Sequence, residues 1–129
     1  MILVDTSVWV EVFKRPVGID LEAHLELDEI ATCLPIVQEV LQGFRDESAF
    51  RMAREAMLAF PVVESPLSEG VFIEAVGLYR TARRNGLTVR SSVDCLIASC
   101  ALKNDLTVLH RDRDFAALAK ISGLKEQRV

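Results

Sequence analysis

The sequence lacks the features that mark several whole classes of protein. Its three cysteines, Cys33, Cys95 and Cys100, lie in apolar surroundings without C-x-x-C or Cys/His spacing, so neither a disulfide framework nor a zinc site is predicted. It contains no Gly/Pro-rich, Gln-rich or repetitive stretch, which argues against disorder. Its apolar runs are short and broken by charge, and no basic leader precedes them. We therefore expect no membrane span, no signal peptide and a cytoplasmic protein.

The composition is that of one globular domain. Half of the 129 residues are hydrophobic and 26% are charged, which is enough apolar material for a single core in a domain spanning residues 1–129. The net charge of −4 argues against a protein that coats nucleic acid without specificity, because such proteins carry a basic face. It leaves open an enzyme in which acids surround a metal ion while local arginines contact phosphates.

Strand and helix patterns alternate along the sequence. Short apolar runs predict strands at residues 2–4, 29–34, 60–63 and 106–109, with a weak edge strand between residues 123 and 129. Apolar residues at helical spacing predict helices at residues 8–13, 19–28, 35–44, 47–58, 67–84, 91–102 and 115–119. This alternation predicts an α/β fold with a central parallel sheet of about four to five strands and helices on both faces.

Two of the predicted helices have informative patterns. The helix at residues 91–102 is apolar nearly all round, which is typical of a central buried helix. The helix at residues 67–84 is expected to end at Asn85-Gly86, a left-handed stop. Its apolar positions on one face are Phe72, Ala75, Val76, Tyr79 and Ala82.

Three acids occupy equivalent places in this predicted fold. Asp5 follows the first strand, Asp112 follows the late strand, and Asp94 lies in the first turn of the buried helix. In a parallel sheet these places converge. Converging carboxylates repel one another and are tolerated when a divalent cation lies between them, so the cluster implies Mg²⁺ or Mn²⁺. A structural alternative stays open, in which Asp5 and Asp112 only cap helices and Asp94 only complements a helix dipole.

Other residues are less informative. Glu39 lies on the polar side of its helix, so patterning alone predicts a solvated surface acid. His110, at the end of a strand, could contact substrate or cap the sheet edge. Trp9 and Phe13 are expected in the core, although a first helix this apolar could also meet a partner chain.

Four segments form a recognisable set, Ile2-Leu3-Val4-Asp5-Thr6-Ser7, Gln38-Glu39-Val40, Val93-Asp94-Cys95-Leu96-Ile97-Ala98 and Arg111-Asp112-Arg113-Asp114-Phe115. In order and spacing they resemble PIN-domain ribonucleases, and more narrowly the VapC toxins of bacterial toxin–antitoxin pairs, from residue 1 to about residue 120. The resemblance implies that Asp5, Glu39, Asp94 and Asp112 surround one or two Mg²⁺ or Mn²⁺ ions, with Asp5, Asp94 and Asp112 as metal ligands. Asp114 matches a frequent further acid, and Thr6 or Ser7 a hydroxyl near the site. His110 is a departure, because the family commonly has Thr or Ser there.

The function implied by the resemblance is metal-dependent endoribonuclease activity, the toxin half of a VapBC-type system. Water would attack the phosphodiester directly, leaving 5′-phosphate and 3′-hydroxyl ends, while Arg90, Arg111 and Arg113 hold the RNA backbone. The expected partners are RNA and a VapB-like antitoxin that docks across the first helices and buries Trp9 or Phe13. A homodimer or a toxin–antitoxin hetero-oligomer is expected.

Two rival interpretations share parts of the pattern. A non-catalytic, receiver-like Mg²⁺-binding signalling domain has a similar length and sheet, but it needs paired acids after the first strand, and Asp5 has no acidic neighbour. A phosphohydrolase with Asp5 as nucleophile usually requires a second Asp two residues later, where Ser7 stands.

Overall fold

Strands alternate with helices through the whole chain in the computed structural model, which describes residues 1–129. The strands are Ile2–Val4 (β1), Ile30–Cys33 (β2), Val62–Val63 (β3), Thr107–His110 (β4) and Lys125–Arg128 (β5). The α-helices are Thr6–Phe13 (α1), Leu34–Gln42 (α2), Glu47–Leu58 (α3), Glu69–Arg84 (α4), Ser92–Lys103 (α5) and Arg113–Lys120 (α6). None of these helices combines the length and apolarity needed to cross a bilayer.

The five strands form one parallel sheet in the order β3-β2-β1-β4-β5. Consecutive residues of β1 and β2 are fully buried, and since neighbouring side chains on a strand point to opposite faces, both faces of the sheet are covered. The predicted α/β fold is therefore confirmed. The chain builds the sheet outward from β1 to β3 and then returns to place β4 on the other side of β1, so the order reverses at β1 and β4. In open parallel sheets, the carboxyl ends of the strands at such a reversal form a crevice.

Helix boundaries follow from local chemistry. The side chains of Asp46 and Ser68 accept hydrogen bonds from the first-turn amides of α3 and α4, from Ala49 N (2.8 Å) and Val71 N (3.3 Å). Beyond α4, Gly86 adopts a φ of 73°, a left-handed conformation that costs glycine little. The predicted stop at Asn85-Gly86 is confirmed.

The helix predicted at residues 19–28 is wrong. The segment instead contains two short 3₁₀ helices, Leu21–Ala23 and Leu27–Glu29. The segment is rich in acids and has no lysine or arginine, and Glu22 and Glu26 would face each other across one turn of a continuous α-helix, where like charges repel. The 3₁₀ path still buries Leu21 and Leu25 in the core.

The buried face of α4 is rotated from the predicted one. Ala75 and Ala82 are buried as expected, but Phe72, Val76 and Tyr79 are between 38% and 54% exposed. The face that packs inward includes Val71 and Leu78, each one position before an expected aromatic. Helix α5 fixes this rotation from the other side, because Ser99 Oγ donates to the carbonyl of Val71 (2.9 Å). The prediction was wrong because it placed the large aromatic residues inward, whereas the smaller Val71 occupies the buried position.

Trp9 lies in the core, as its default interpretation predicted. Its ring stacks on Phe13 with centroids 5.8 Å apart and contacts Phe60 at 5.5 Å. Only 4% of Trp9 is exposed. A partner docked on the first helices would therefore gain almost no further burial of Trp9, in contrast to the expectation from the sequence.

The rotation of α4 can be tested with one substitution at two positions of the same helix. Val71→Ala should lower the free energy of unfolding by about 2 kcal/mol, from about 0.8 kcal/mol for each buried methyl group plus a cavity contribution. Val76→Ala, at an exposed position, should change it by less than about 0.5 kcal/mol. Urea unfolding measures both. Equal losses for the two variants would contradict the observed rotation.

Candidate active site

Asp5 caps one helix and leaves one oxygen unused. Its Oδ2 accepts hydrogen bonds from Ser7 N (2.9 Å) and Ser7 Oγ (2.6 Å), which caps α1. Its Oδ1 is buried and has no hydrogen-bond partner. The amide of Asp5 donates to the carbonyl of Leu109 at 2.9 Å, so the residue is fixed against the end of β4. The structural and site interpretations of Asp5 are thus compatible, because capping uses only one of its two oxygens.

Asp112 has the same arrangement at the start of α6. Its Oδ1 accepts from Asp114 N (2.9 Å) and from the guanidinium of Arg90 (3.1 Å). The two capping loops are joined, since Ser7 Oγ accepts from the amide of Arg111 at 2.9 Å. The hydroxyl expected near the site therefore holds the loops after β1 and β4 in one fixed arrangement.

Asp94 and Asp114 complete a compact group with Asp112. One carboxylate oxygen from each of these three residues lies within 4.8 Å of the others. Asp94 is 5% exposed, and its Oδ2 is buried without a hydrogen-bond partner. Asp114 is fully buried and accepts from the amides of Arg90 (3.0 Å) and Ser91 (3.3 Å), which anchors the loop leading into α5.

Glu39 faces this site rather than bulk solvent, so its predicted role as a solvated surface acid is wrong. It is half-buried, and its Oε1 accepts from Thr6 Oγ1 at 2.8 Å. Helix α2 packs against α1, so the polar side of α2 is directed at the amino-terminal end of α1. Helical periodicity separates core from non-core positions, but it does not distinguish solvent from a polar crevice.

Burial and repulsion raise the pKa of Asp5, Glu39 and Asp94. Burial is the main cause for Asp5 and Glu39, opposed by their hydrogen bonds from Ser7 and Thr6, and the negative charge of Asp112 raises both further. The pKa of Asp94 is raised to about 9 by burial, by the charges of Asp5 and Asp112, and by contact with Asp114.

A divalent cation fits this donor set. The partnerless buried oxygens of Asp5 and Asp94 carry an uncompensated cost of desolvation, which an oxygen-ligated cation would remove. The site could thus hold Mg²⁺ or Mn²⁺, both of which prefer carboxylate ligands. Asp5 lies outside the compact group formed by Asp94, Asp112 and Asp114, although its charge acts on Asp94.

The three candidate RNA-binding arginines differ in their surroundings. Arg90 already bonds Asp112, and its Nε lies 3.5 Å from Asp114, so it offsets part of the negative charge. The sequence had not predicted this contact, although the position of Arg90 just before the helix of Asp94 could have suggested it. Arg111 and Arg113 flank Asp112 with exposed side chains.

His110 takes neither of the roles considered for it from the sequence. Its ring is fully buried beneath the site and is therefore placed neither against substrate nor at an exposed sheet edge. Its Nδ1 accepts a hydrogen bond from the amide of Asp112 at 3.1 Å. His110 thus contacts the backbone of a site acid.

The fold and this carboxylate crevice define a class. A family model described as PIN domain matches residues 2–121, and the chain belongs to the PIN-domain family. Its curated relatives include the ribonuclease VapC11 of Mycobacterium tuberculosis, which is 39% identical, with 97% of this chain and 96% of the relative covered. The ribonuclease VapC51 of the same organism is 30% identical, with 94% and 87% covered. Within the family the chain therefore groups with the VapC ribonucleases.

Solved structures agree on the fold. The structure of VapBC2 from Rickettsia felis bound to a promoter DNA fragment contains a chain that matches with a TM-score of 0.79 at 19% identity, covering 100% of this chain and 99% of that chain. VapBC-5 of Mycobacterium tuberculosis matches with a TM-score of 0.73 at 23% identity, covering 99% and 98%. Nothing in the fold or in these relatives favours the receiver-like alternative.

Asp94→Asn tests the repulsion within the cluster. The pKa of Asp94 in the folded chain lies above its unfolded value, so this acid reduces stability increasingly as pH rises from about 4 toward 9. Replacing it with the neutral amide should therefore raise the melting temperature in EDTA at pH 8 by about 4 °C or more, and by much less near pH 4. One kcal/mol corresponds to about 4 °C in a domain of this size.

Asp28→Asn is the matched control, because Asp28 is an exposed acid that precedes β2 at the opposite end of the strands from the site. It should melt within about 1 °C of the wild type at both pH values. Scanning calorimetry measures all three proteins. A metal-free Asp94→Asn protein that melts below the wild type at pH 8 would assign Asp94 a purely structural role at the start of α5.

Proposed function

We propose that this chain is a metal-dependent endoribonuclease, the toxin of a VapBC-type toxin–antitoxin pair, and that residues 1–129 form its single nuclease domain. The observation that carries the proposal is the pair of buried carboxylate oxygens without partners, on Asp5, which follows β1, and on Asp94, in the first turn of α5. Relatives named as VapC ribonucleases match almost the full length and support RNA as the substrate.

In this proposal, Asp5, Asp94 and Asp112 hold Mg²⁺ or Mn²⁺, with Asp114 as an accessory acid. Bound there, the cation would supply Lewis-acid polarisation of a phosphodiester oxygen and a lowered pKa for water. Asp114 mainly holds the loop before α5 in place, because both of its oxygens contact Arg90 or the backbone there.

Glu39 is the residue that we assign to proton transfer. Its Oε1 is held by Thr6 Oγ1, which leaves Oε2 to accept a proton from the attacking water. Its raised pKa brings the carboxyl closer to neutral pH, as suits a general base. Ser7 orients Asp5 in the same way that Thr6 orients Glu39.

No side chain of the site is arranged for covalent catalysis. The hydroxyl of Ser7 is directed to the carboxylate of Asp5, and His110, whose ring is buried, contacts the backbone of Asp112. Neither forms the paired nucleophile and base that a covalent route requires. We therefore propose direct hydrolysis that leaves 5′-phosphate and 3′-hydroxyl ends.

The proposed partners are RNA and a VapB-like antitoxin. One solved structure that shares the fold is VapBC-5, described as a member of the VapBC family of toxin–antitoxin systems, which supports an antitoxin partner. We propose that the chain forms a toxin–antitoxin hetero-oligomer or a homodimer. On the first helix, Phe13 is half-buried and could contact the antitoxin, whereas Trp9 is almost fully buried in the core.

Cleavage of RNA should depend on both the cation and the cluster. The purified chain should cleave structured cellular RNAs with Mg²⁺ or Mn²⁺ and lose activity in EDTA, and added Mg²⁺ should restore it. Asp112→Asn should lower kcat by at least about 100-fold, because it removes a charge from the donor set. Gel assays with mapping of 5′ and 3′ ends measure both effects. Asp28→Asn is again the control, and full cleavage in EDTA would refute the metal-dependent mechanism.

Arg111 and Arg113 should act on the RNA backbone through charge alone. The double substitution Arg111→Gln/Arg113→Gln should weaken RNA binding and reduce the slope of log affinity against log salt by about 1.4, since each contact with single-stranded RNA contributes about 0.7. Binding is measured by fluorescence anisotropy with metal omitted. Arg51→Gln, which alters an exposed arginine of α3, is the control. An unchanged salt slope would remove these two arginines from the RNA-binding surface.

A further inference from the structure

The ring of His110 is held on several sides at the end of β4. Phe115 lies beside it with ring centroids 5.3 Å apart, and the side chain is completely buried. Strand β5 and the residue that follows it add two further contacts. The carbonyl of His110 accepts from Val129 N at 2.9 Å, and Nε2 lies 2.5 Å from Oε2 of Glu126.

The two hydrogen bonds of the ring define its tautomer. The amide of Asp112 can only donate, so Nδ1 must be the bare nitrogen that accepts at 3.1 Å. The proton then lies on Nε2 and is donated to the carboxylate of Glu126. A proton on Nδ1 would place two donors against each other. The geometry therefore requires a bare Nδ1 and a proton on Nε2.

We propose that Glu126 and His110 are positioning residues for Asp112. Glu126 retains the Nε2 proton, His110 thereby presents a bare Nδ1, and Nδ1 fixes the backbone turn from which the Asp112 carboxylate reaches the site. This inference rests on the proposed function and adds β5 to the machinery of the site. Glu126 lies beyond residue 121, where the match to the PIN-domain model ends, so it is a feature of this chain outside the matched region.

The turn leaves Asp112 little other support. Its carboxylate Oδ1 is already shared between the cap of α6 and Arg90, and Arg90 has a half-exposed side chain. The His110 ring that accepts from the amide of Asp112 is, in contrast, fully buried. Outer partners that orient ligands in this way typically change metal affinity or activity by 10–100-fold when removed.

The first experiment reads the tautomer directly and does not require cleavage. The chain has two histidines, and His24 is exposed, so it serves as an internal reference. Nitrogen NMR of histidine-labelled protein at pH 8, with metal omitted, should show His110 with a protonated Nε2 and a bare Nδ1. In Glu126→Ala, which removes the acceptor, a mixture of the two tautomers is expected. A proton on Nδ1 in the wild type would overturn the proposal.

The second experiment measures the consequence at the site. In Glu126→Ala, the dissociation constant for Mg²⁺ alone, measured by calorimetric titration, should rise about 10-fold. The kcat for RNA cleavage should fall about 10-fold, with KM little changed. Glu126→Gln should restore most of both values, because it removes the same charge but keeps an acceptor oxygen for the Nε2 proton. Gln127→Ala, on the opposite face of β5, is the matched control and should equal the wild type.

These outcomes distinguish a positioning role of Glu126 from a role in packing alone and from a general effect of its charge. If Glu126→Ala melts lower but keeps wild-type Mg²⁺ affinity and kcat, the residue is only structural and the proposal fails. Equal effects in Glu126→Gln and Glu126→Ala would show a charge effect, which also overturns it. If the wild type does not cleave RNA, the proposed function fails on its own. The tautomer and Mg²⁺ affinity then still decide whether Glu126 positions Asp112.

Discussion

Repulsion between buried carboxylates is the constraint on which the rest of the structure depends. Asp5, Asp94 and Asp114 are each at least 95% buried, and burial raises the pKa of Asp5 and Asp94. The chain accommodates this group by rigid hydrogen bonds. The helix-cap amides, the Ser7 hydroxyl and the guanidinium of Arg90 each stabilise part of the negative charge through a hydrogen bond or an ion pair. The remaining repulsion and desolvation cost of the buried carboxylates would be relieved by a bound cation, and this relief would favour its binding.

Much of this site could be predicted from the sequence, because parallel strands bring their carboxyl ends together whatever the details of packing. Asp5 directly after β1 and Asp112 directly after β4 are therefore predictable as neighbours. Glu39 is not, because its direction depends on how α2 is rotated against α1, and helical periodicity does not determine that rotation. The resemblance to a family supplied the residue, and its bond with Thr6 now gives the physical reason.

The two wrong predictions about the fold have a common origin. At residues 19–28 and on α4, apolar spacing alone does not determine the structure, because local charge and the size of the facing side chains also act. Repulsion between acids interrupts the first segment. On α4, the space facing α5 accepts Val71 and Leu78 and leaves Phe72 outside. Sequence patterns identify which segments contact the core, but the rotation of a helix is fixed by its neighbour.

The hydrogen bond between Ser7 and Arg111 joins residues that are 104 positions apart. Such a contact has almost the highest sequence separation that this chain allows, so it can form only after β4 has been synthesised and paired with β1. Ribosome-bound chains that already carry Asp5, Glu39 and Asp94 therefore still lack the hydrogen bond between Ser7 and Arg111 that joins the capping loops. The order of synthesis itself delays assembly of the carboxylate crevice until Arg111 has emerged.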